Sequence, residues 1–332
     1  MGEHKFVLVF ALAFVLMQGC SNTGITGSYL SSDEASTILY AKPITLNALL
    51  IFTALEEGFF EDEGLKVASQ QFSAGRLALD AVLTGNAHFS SMSETPFMHS
   101  VLQGNDVVIV ATVSIHKEAK GIARTDKGIL KPKDLKGKKI ATLPGTNSDY
   151  FMYIFLEKNG LNPKDVQIVS LPPPEMVSSL IRGDIDAYFA WEPHIFFAKK
   201  ELGNNSIIFE PRELYSGTAN IIMRRDFVRN NPETVKKLIK ALLKSEEFVK
   251  NNRERAIEIA EVHTGMNKET LTDIYNDYDF KVEITQELIE LLDKESQWAI
   301  NSGLSKSRQL NFKDFVYIDA LKEIDSKRVK VK

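Results

Sequence analysis

From Thr37 onward the apolar positions switch between a period of two and a period near 3.6. TILYA, LKVASQQF, AHFSSM and DVVIVATV have the short, alternating or β-branched character of strands. Between them, NALLIFTALEEGFF, AGRLALDAVLTGN and ETPFMHSVLQGN predict helices, the first with Leu49, Phe52, Leu55 and Phe59 along one side. Gly58, Gly85 and Gly104 stand at the helix exits, where left-handed C-caps are expected. A second cycle starts near Arg124. It predicts strands in KKIATL, VQIVSL, IDAYFAW and SIIFE, and helices in SDYFMYIFLEKNGL, PEMVSSLIRGD and EPHIFFAKKELG. Ser148-Asp149 is expected to cap the first of these helices, with Pro174 near the start of the second and Pro193 at the start of the third. TANIIMRR returns the chain to the first unit, and after Asp226 the pattern reads as helical almost to the end. No internal repeat of fixed period occurs. Strand–helix–strand repetition implies right-handed crossovers and a mostly parallel sheet.

One stretch, GDIDAYFAWEP at 183–193, is apolar on both faces, as a strand covered by helices on both sides would be. It ends on Trp191-Glu192-Pro193 and so delivers a ring and a carboxylate at a strand's carboxyl end. In open α/β sheets ligands collect at such ends, where helix N-termini point donors at them. Thr45 follows the first strand, Ser91, Ser93, Glu94 and Thr95 follow the third, and Thr146, Asn147 and Ser148 precede Tyr150. Taken singly, each of these reads first as a helix cap. Trp191 and Glu192 read equally as core packing and a cap. Four such ends in two similar units point to a ligand site.

Composition sets limits on function. With 332 residues, 44% hydrophobic and 25% charged, the chain is long enough for one large or two medium domains. A net charge of -4 gives no nucleic-acid footprint, and the terminal KRVKVK reads as a solvated tail. Lys5 precedes the uncharged run FVLVFALAFVLM, which fits a secretory segment better than a membrane span. Cys20 is the only cysteine, so no internal disulfide can form. The run ending in Gly19-Cys20 resembles a bacterial lipobox, with Met17 where leucine is usual. The resemblance implies a lipoprotein signal peptide at 1–19, cleavage before Cys20 and lipid on its sulfur. Residues 20–36, rich in Ser, Thr and Gly, then read as a flexible tether.

The segment DLKGKKIATLPGTNSDYFMYIFLEKNGLNPKDVQIVSLPPPEMVSSLIRGDIDAYFAWEP resembles the second lobe of periplasmic substrate-binding proteins for taurine, aliphatic sulfonates, nitrate and thiamine pyrimidine precursors. Its Asp-Leu-Lys-Gly-Lys turn, Gly-Thr turn before a Tyr-bearing helix, Leu-x-Pro-Pro segment and Gly-Asp-Ile-Asp-Ala…Trp-Glu-Pro carry the match. GFFEDEGLKV, the turn at Phe72 to Gly75 and LTGNAHFSSMSETP extend it more loosely into the first lobe. The resemblance implies a type II periplasmic-binding-protein fold, two α/β lobes joined by a two-segment hinge. Lobe 1 is expected at 37–123 with 224–332 and lobe 2 at 124–223, with hinges near Ile122 to Arg124 and Ile221 to Arg224. It also implies a monomer in the cell envelope that serves an ABC permease and ATPase. Carried over, the ligand-lining positions are Thr45, Ser91 to Thr95, Thr146 to Ser148, Tyr150, Trp191, Glu192 and Asn220. No arginine stands in these turns to clamp a sulfonate in a bidentate manner. Glu94 and Glu192 favour a zwitterion or a nitrogen-containing ring over a wholly anionic ligand.

The same fold supports enzymes, among them menaquinone-pathway enzymes and iron-dependent pyrimidine synthases. The six histidines form no HxxxH or HxH pair, no cysteine beyond Cys20 is present, and no GxSxG elbow occurs, so neither a metal site nor a cofactor has sequence support. An extracytoplasmic sensor is a further reading, with no other span or signalling segment to support it. The expectation is a lipid-anchored protein that captures a small polar organic solute, not an enzyme.

Overall fold

A computed structural model describes residues 36–332 apart from residue 212. The expected signal segment, Cys20 and nearly all of the expected tether lie outside the described residues. The described strands are β1 (Ser36–Pro43), β2 (Leu65–Phe72), β3 (Phe89–Ser93), β4 (Val107–His116), β5 (Lys120–Arg124), β6 (Lys139–Thr142), β7 (Gln167–Ser170), β8 (Ala187–Ala190), β9 (Ser206–Phe209), β10 (Gly217–Arg224), β11 (Tyr278–Thr285) and β12 (Val329–Lys330). They form a seven-stranded sheet in the order β12-β11-β4-β10-β3-β1-β2 and a five-stranded sheet in the order β7-β6-β8-β5-β9.

Parallel pairing joins β1 to β2 and β3, and β6 to β7 and β8, as helical crossovers require. β12 is also parallel to β11, and the remaining pairs are antiparallel: β10 against β3 and β4, β11 against β4, and β5 against β8 and β9. The expected mostly parallel arrangement is therefore mixed. The chain leaves the first sheet at the end of β4 and re-enters beside that end, pairing Gly217 with His116, so β10 must run the other way.

The crossings between sheets fall at 117–119 and 210–216. Ile122 to Arg124 belong to β5, inside the second sheet, and Ile221 to Arg224 belong to β10, inside the first. The boundaries expected at 123 and 223 thus move several residues toward the N-terminus. The apolar runs read as crossings are strands with partners on both sides. A second correction concerns the C-terminal third. Tyr278, Phe280, Val282 and Ile284 alternate with Asp279, Lys281 and Glu283 in β11, where a helical continuation was expected.

Both sheets are covered on both faces, which is why their central strands are buried almost throughout. In β8, Phe189 packs with Phe151 and Phe155 of the helix Asn147–Lys158, at ring separations of 5.7 and 5.6 Å. Tyr188 faces the other way, among Met176, Leu180 and Ile195. In the first sheet, Val108, Val110 and Ile221 pack with the helices Leu49–Glu56 and Pro232–Asn251. Val107, Ile109 and Ile222 pack with Phe97 and Leu288, on the helices Glu94–Leu102 and Gln286–Asn301. Each fully buried Leu, Ile or Phe contributes about 1.5–3 kcal/mol. Among the described residues no helix is long and apolar enough to cross a membrane.

Candidate functional site

A narrow cleft is lined by residues at or just beyond the carboxyl ends of strands from both sheets. Thr45 and Asn47 follow β1, Ser91, Met92 and Ser93 end β3, Thr146 and Asn147 follow β6, and Trp191 follows β8. Of the positions expected from the sequence, the cleft brings together Thr45, Ser91, Ser93, Thr146, Asn147 and Trp191.

Glu118 also lines the cleft, on the three-residue crossing between the sheets, and is 2% exposed. Its Oε2 accepts from Thr45 Oγ1 at 3.0 Å and Tyr278 OH at 3.2 Å, and its Oε1 accepts from Asn47 Nδ2 at 2.8 Å. Thr45 sits in extended conformation where it could cap the turn after β1. Its side chain makes no such bond and donates to Glu118 instead. Burial pushes the Glu118 carboxyl up to about 7, against the lowering effect of these donors. His116 Nε2 lies 3.8 Å from Oε1, beyond hydrogen-bond reach, and burial holds this imidazole down to about 4, so it is neutral.

The opposite wall offers donors. The helix Gly75–Leu83 starts at the cleft with no side chain capping it; Leu77 N–H turns back to Ala74 O at 3.1 Å, which leaves the N–H groups of Gly75 and Arg76 for a ligand. A Cβ on Gly75 would stand 2.6 Å from Met92 Cβ, so only glycine fits this helix start against β3. Arg76 is the next residue and lines the cleft. The expected turns hold no arginine, but the cleft has one just outside them. Arg76 comes one residue after the Phe72-to-Gly75 turn already singled out. Asn147 Oδ1 accepts from Ser148 N–H at 3.0 Å, while its buried Nδ2 makes no regular hydrogen bond but stands close enough to Glu118 to favour its ionised form. Thr146 caps the helix Asn147–Lys158 by accepting from Asp149 N–H, so the cap is Thr146 and not Ser148-Asp149.

The remaining expected positions do not line the cleft, and all but Ser148 are engaged by partners or packing contacts elsewhere. Glu94 accepts from Tyr215 OH, from Thr218 N–H at 2.7 Å and from Thr218 Oγ1 at 3.0 Å. Thr95 donates to the buried Glu295 at 2.9 Å. Ser148 is buried with an unpartnered hydroxyl. Tyr150 packs edge-on against Tyr215 and Trp298 at 5.6 and 5.0 Å. Asn220, inside the first sheet, accepts from Thr112 at 2.7 Å and donates to Thr218 at 2.9 Å. Glu192 accepts from Phe196 N–H at 2.9 Å, the capping geometry, and pairs with Lys120 at 3.6 Å. Trp191 combines both of its readings, lining the cleft while packing in the same cluster as Ala74 and Ile195.

Asn47, Gly75, Arg76, Pro96 and Glu118 are among the cleft residues that sequence reasoning missed. Asn47 and Arg76 lay one or two residues past positions already chosen. Glu118 carried no local signal, because its partners Thr45 and Tyr278 are 73 and 160 residues away in sequence.

The family model described as NMT1/THI5 like matches residues 45–256. A Bacillus subtilis (strain 168) protein assigned to aliphatic sulfonate binding is 27% identical over 261 residues, covering 77% of each chain. The taurine-binding periplasmic protein of Escherichia coli (strain K12) is 25% identical over 251 residues, covering 74% of this chain and 72% of that one. Among solved structures, the alkanesulfonate-binding protein SsuA from Xanthomonas axonopodis pv. citri, bound to MOPS, superposes with a TM-score of 0.76 at 17% identity, covering 86% of this chain and 99% of that one. At that identity the likeness establishes the fold, and the two sheets are those of a periplasmic binding protein. With more than half its length matched by the family model, the chain belongs to the NMT1/THI5-like family.

Proposed function

We propose that this protein captures a small polar solute bearing an oxyanion, in the cleft between two lobes, and delivers it to an ABC permease and ATPase. The observation that carries this reading is the cleft's complement of unused polar groups. An open helix start, Arg76 and Asn147 Nδ2, which makes no regular hydrogen bond, converge where both sheets present carboxyl strand ends. Lobe 1 consists of β1–β4 and β10–β12 with their helices, lobe 2 of β5–β9 with theirs, and the crossings at 117–119 and 210–216 serve as the hinge. The relatives' names favour sulfonate-like or taurine-like solutes, with a nitrogen-containing ring as the other class. Lipid on Cys20 holds the protein at the outer face of a membrane, in the cell envelope, as a monomer.

A thermal-shift panel of taurine, alkanesulfonates, nitrate, aminopyrimidines and polyamines tests the reading. A ligand at 100 times its Kd adds roughly 2.7 kcal/mol to stability. One class should raise the melting temperature in a saturable way, and small-angle scattering should show compaction with that ligand. A panel without any stabilising compound would overturn the proposal.

A further inference from the structure

The end of β1 faces two places. Pro43 lines the cleft, and strand alternation sends Lys42 to the opposite face. There Lys42 Nζ lies 2.7 Å from His263 Nδ1, on the helix Arg253–Thr264. His263 Nε2 lies 2.8 Å from Glu56 Oε1, at the end of the helix Leu49–Glu56. A carboxylate only accepts, so Nε2 carries the imidazole hydrogen and Nδ1 is the acceptor for Lys42. Phe52 stacks on His263 at 4.4 Å and fixes the plane of the ring. An amine, a base within hydrogen-bond reach and a carboxylate that orients the base are the parts of an activated nucleophile.

Lys42 is not spent on an ion pair with a carboxylate among the described residues. Burial lowers its proton affinity, opposed by Glu56 behind the imidazole. Phe52, 5.2 Å from Nζ, also favours the charged form. Burial and the Lys42 charge hold His263 below its ordinary range, so the ring is neutral and free to take a proton. An apolar groove opens beside this group. Ile44, two residues after Lys42, and Thr264, next to His263, form one side. Val177, Ile181 and Phe197 from the second sheet's unit face them, with Lys200 at the rim.

We infer that Lys42 captures an aldehyde with an apolar body, forming an imine at Nζ while the body lies in the groove. The neutral amine adds to the carbonyl carbon, a C–N bond forms and the π pair of the C=O moves to oxygen. His263 Nδ1 takes a proton from the nitrogen and returns one to that oxygen. A second transfer of the same kind lets the oxygen leave, so the two N–H hydrogens and the carbonyl oxygen depart as one water. Glu56 steadies the imidazolium between transfers. An aldehyde suits the site because the reaction needs proton transfer alone and no co-reactant. The site lies on the far face of β1 from the cleft and goes beyond solute capture.

The test is reductive trapping on the full chain at pH 7.5 with hexanal and cyanoborohydride, which reduces the imine to a stable amine read by peptide mass spectrometry. Lys200 lines the same groove without a hydrogen-bonded imidazole and is the internal reference. Lys42 should be alkylated at least about 10-fold faster than Lys200, the low end of what a positioned base supplies. His263→Gln keeps an acceptor for Lys42 but cannot take its proton, and should remove most of that lead. Relative to the exposed Lys131, Lys42 should also prefer hexanal to glyoxylate, which is small and charged. A Lys42 that reacts no faster than Lys200 would overturn the inference, as would an undiminished lead in His263→Gln. Equal preference for the two aldehydes would overturn the apolar class. If His263→Gln does not fold, the parent's Lys42-to-Lys200 ratio and its aldehyde preference decide the matter alone.

Discussion

Lys120 and Glu192 form an ion pair at 3.6 Å with both side chains less than a tenth exposed, and Lys120 also reaches Asp277 of the first sheet's unit at 3.4 Å. Burial works against the Lys120 ammonium, but Glu192, Glu210 and Asp277 outweigh it and hold the group above its usual range. Burial raises Glu192 despite this partner. A buried pair broken on one side leaves an uncompensated charge.

Lys120→Met should therefore destabilise the fold by about 3–5 kcal/mol, read from urea melts. Glu192→Gln should lower the melting temperature while ligand affinity changes little, because Glu192 serves Lys120 and Phe196 N–H and not the cleft. A large loss of affinity in a Glu192→Gln protein of parental stability would return Glu192 to the binding site.

Glu295 lies fully buried beside Glu94, and burial followed by that neighbouring charge raises it well above the ordinary carboxyl range. The folded state keeps this proton at pH values where the unfolded chain, near 4.3, has released it. Stability from the retained proton is thus full below about pH 4.3 and falls as pH rises toward the folded value. Glu295→Gln should gain on the parent by up to ~1.4 kcal/mol per pH unit in denaturant melts from pH 5 to 8. Parallel stability profiles for the two proteins would refute this.

Trp298 packs edge-on against Tyr150 and Tyr153, at 5.0 and 5.3 Å, joining the helix Gln286–Asn301 to a helix of the second sheet's unit. Movement between the two units must change its surroundings. Both tryptophans should then report ligand binding, Trp191 directly and Trp298 through closure. Trp191→Phe should retain a ligand-dependent fluorescence change, and the double replacement should abolish it. A Trp191→Phe protein that binds ligand with a silent spectrum would show that this contact persists unchanged.

Gly75→Ala places a Cβ 2.6 Å from that of Met92 at the cleft wall. Overpacking of this kind costs about 1–3 kcal/mol and shifts the helix start that lines the cleft. Both the melting temperature and the affinity should drop. Parental values for both would mean that the wall yields freely.

Cys20→Ser should release the protein from membranes or block its maturation, since stable anchoring needs more than one acyl chain and the sulfur would carry part of it. Fractionation and the size of the processed chain decide this. Unchanged retention and processing would rule out lipid on Cys20.

Four of the five strands of the second unit, all but β5, were legible as short apolar runs bounded by turn residues, as Ala187–Ala190 shows between Gly183 and Pro193. β11 was equally legible in its Tyr278-to-Ile284 alternation but was masked by the helical segments around it. The cleft was half legible. Residues at helix starts, such as Thr45, Thr146 and Asn147, announce themselves by type and place. A strand-end carboxylate does not announce its direction. Glu94, Glu192 and Glu118 all follow buried strands, and only partners distant in sequence, Tyr215, Lys120 and Tyr278, decide which one lines the cleft.

β10 lies between β4 and β3, and the whole second sheet is threaded between β4 and β10 in the chain. The first sheet therefore cannot be joined until about residue 224 has emerged from the ribosome, whereas 120–209 is one uninterrupted stretch. The later sheet in the reading order of the fold is the earlier one to be completed during synthesis. Until then β4 and β3 wait with bare apolar edges, and a stalled or truncated chain ending before β10 would expose them to aggregation.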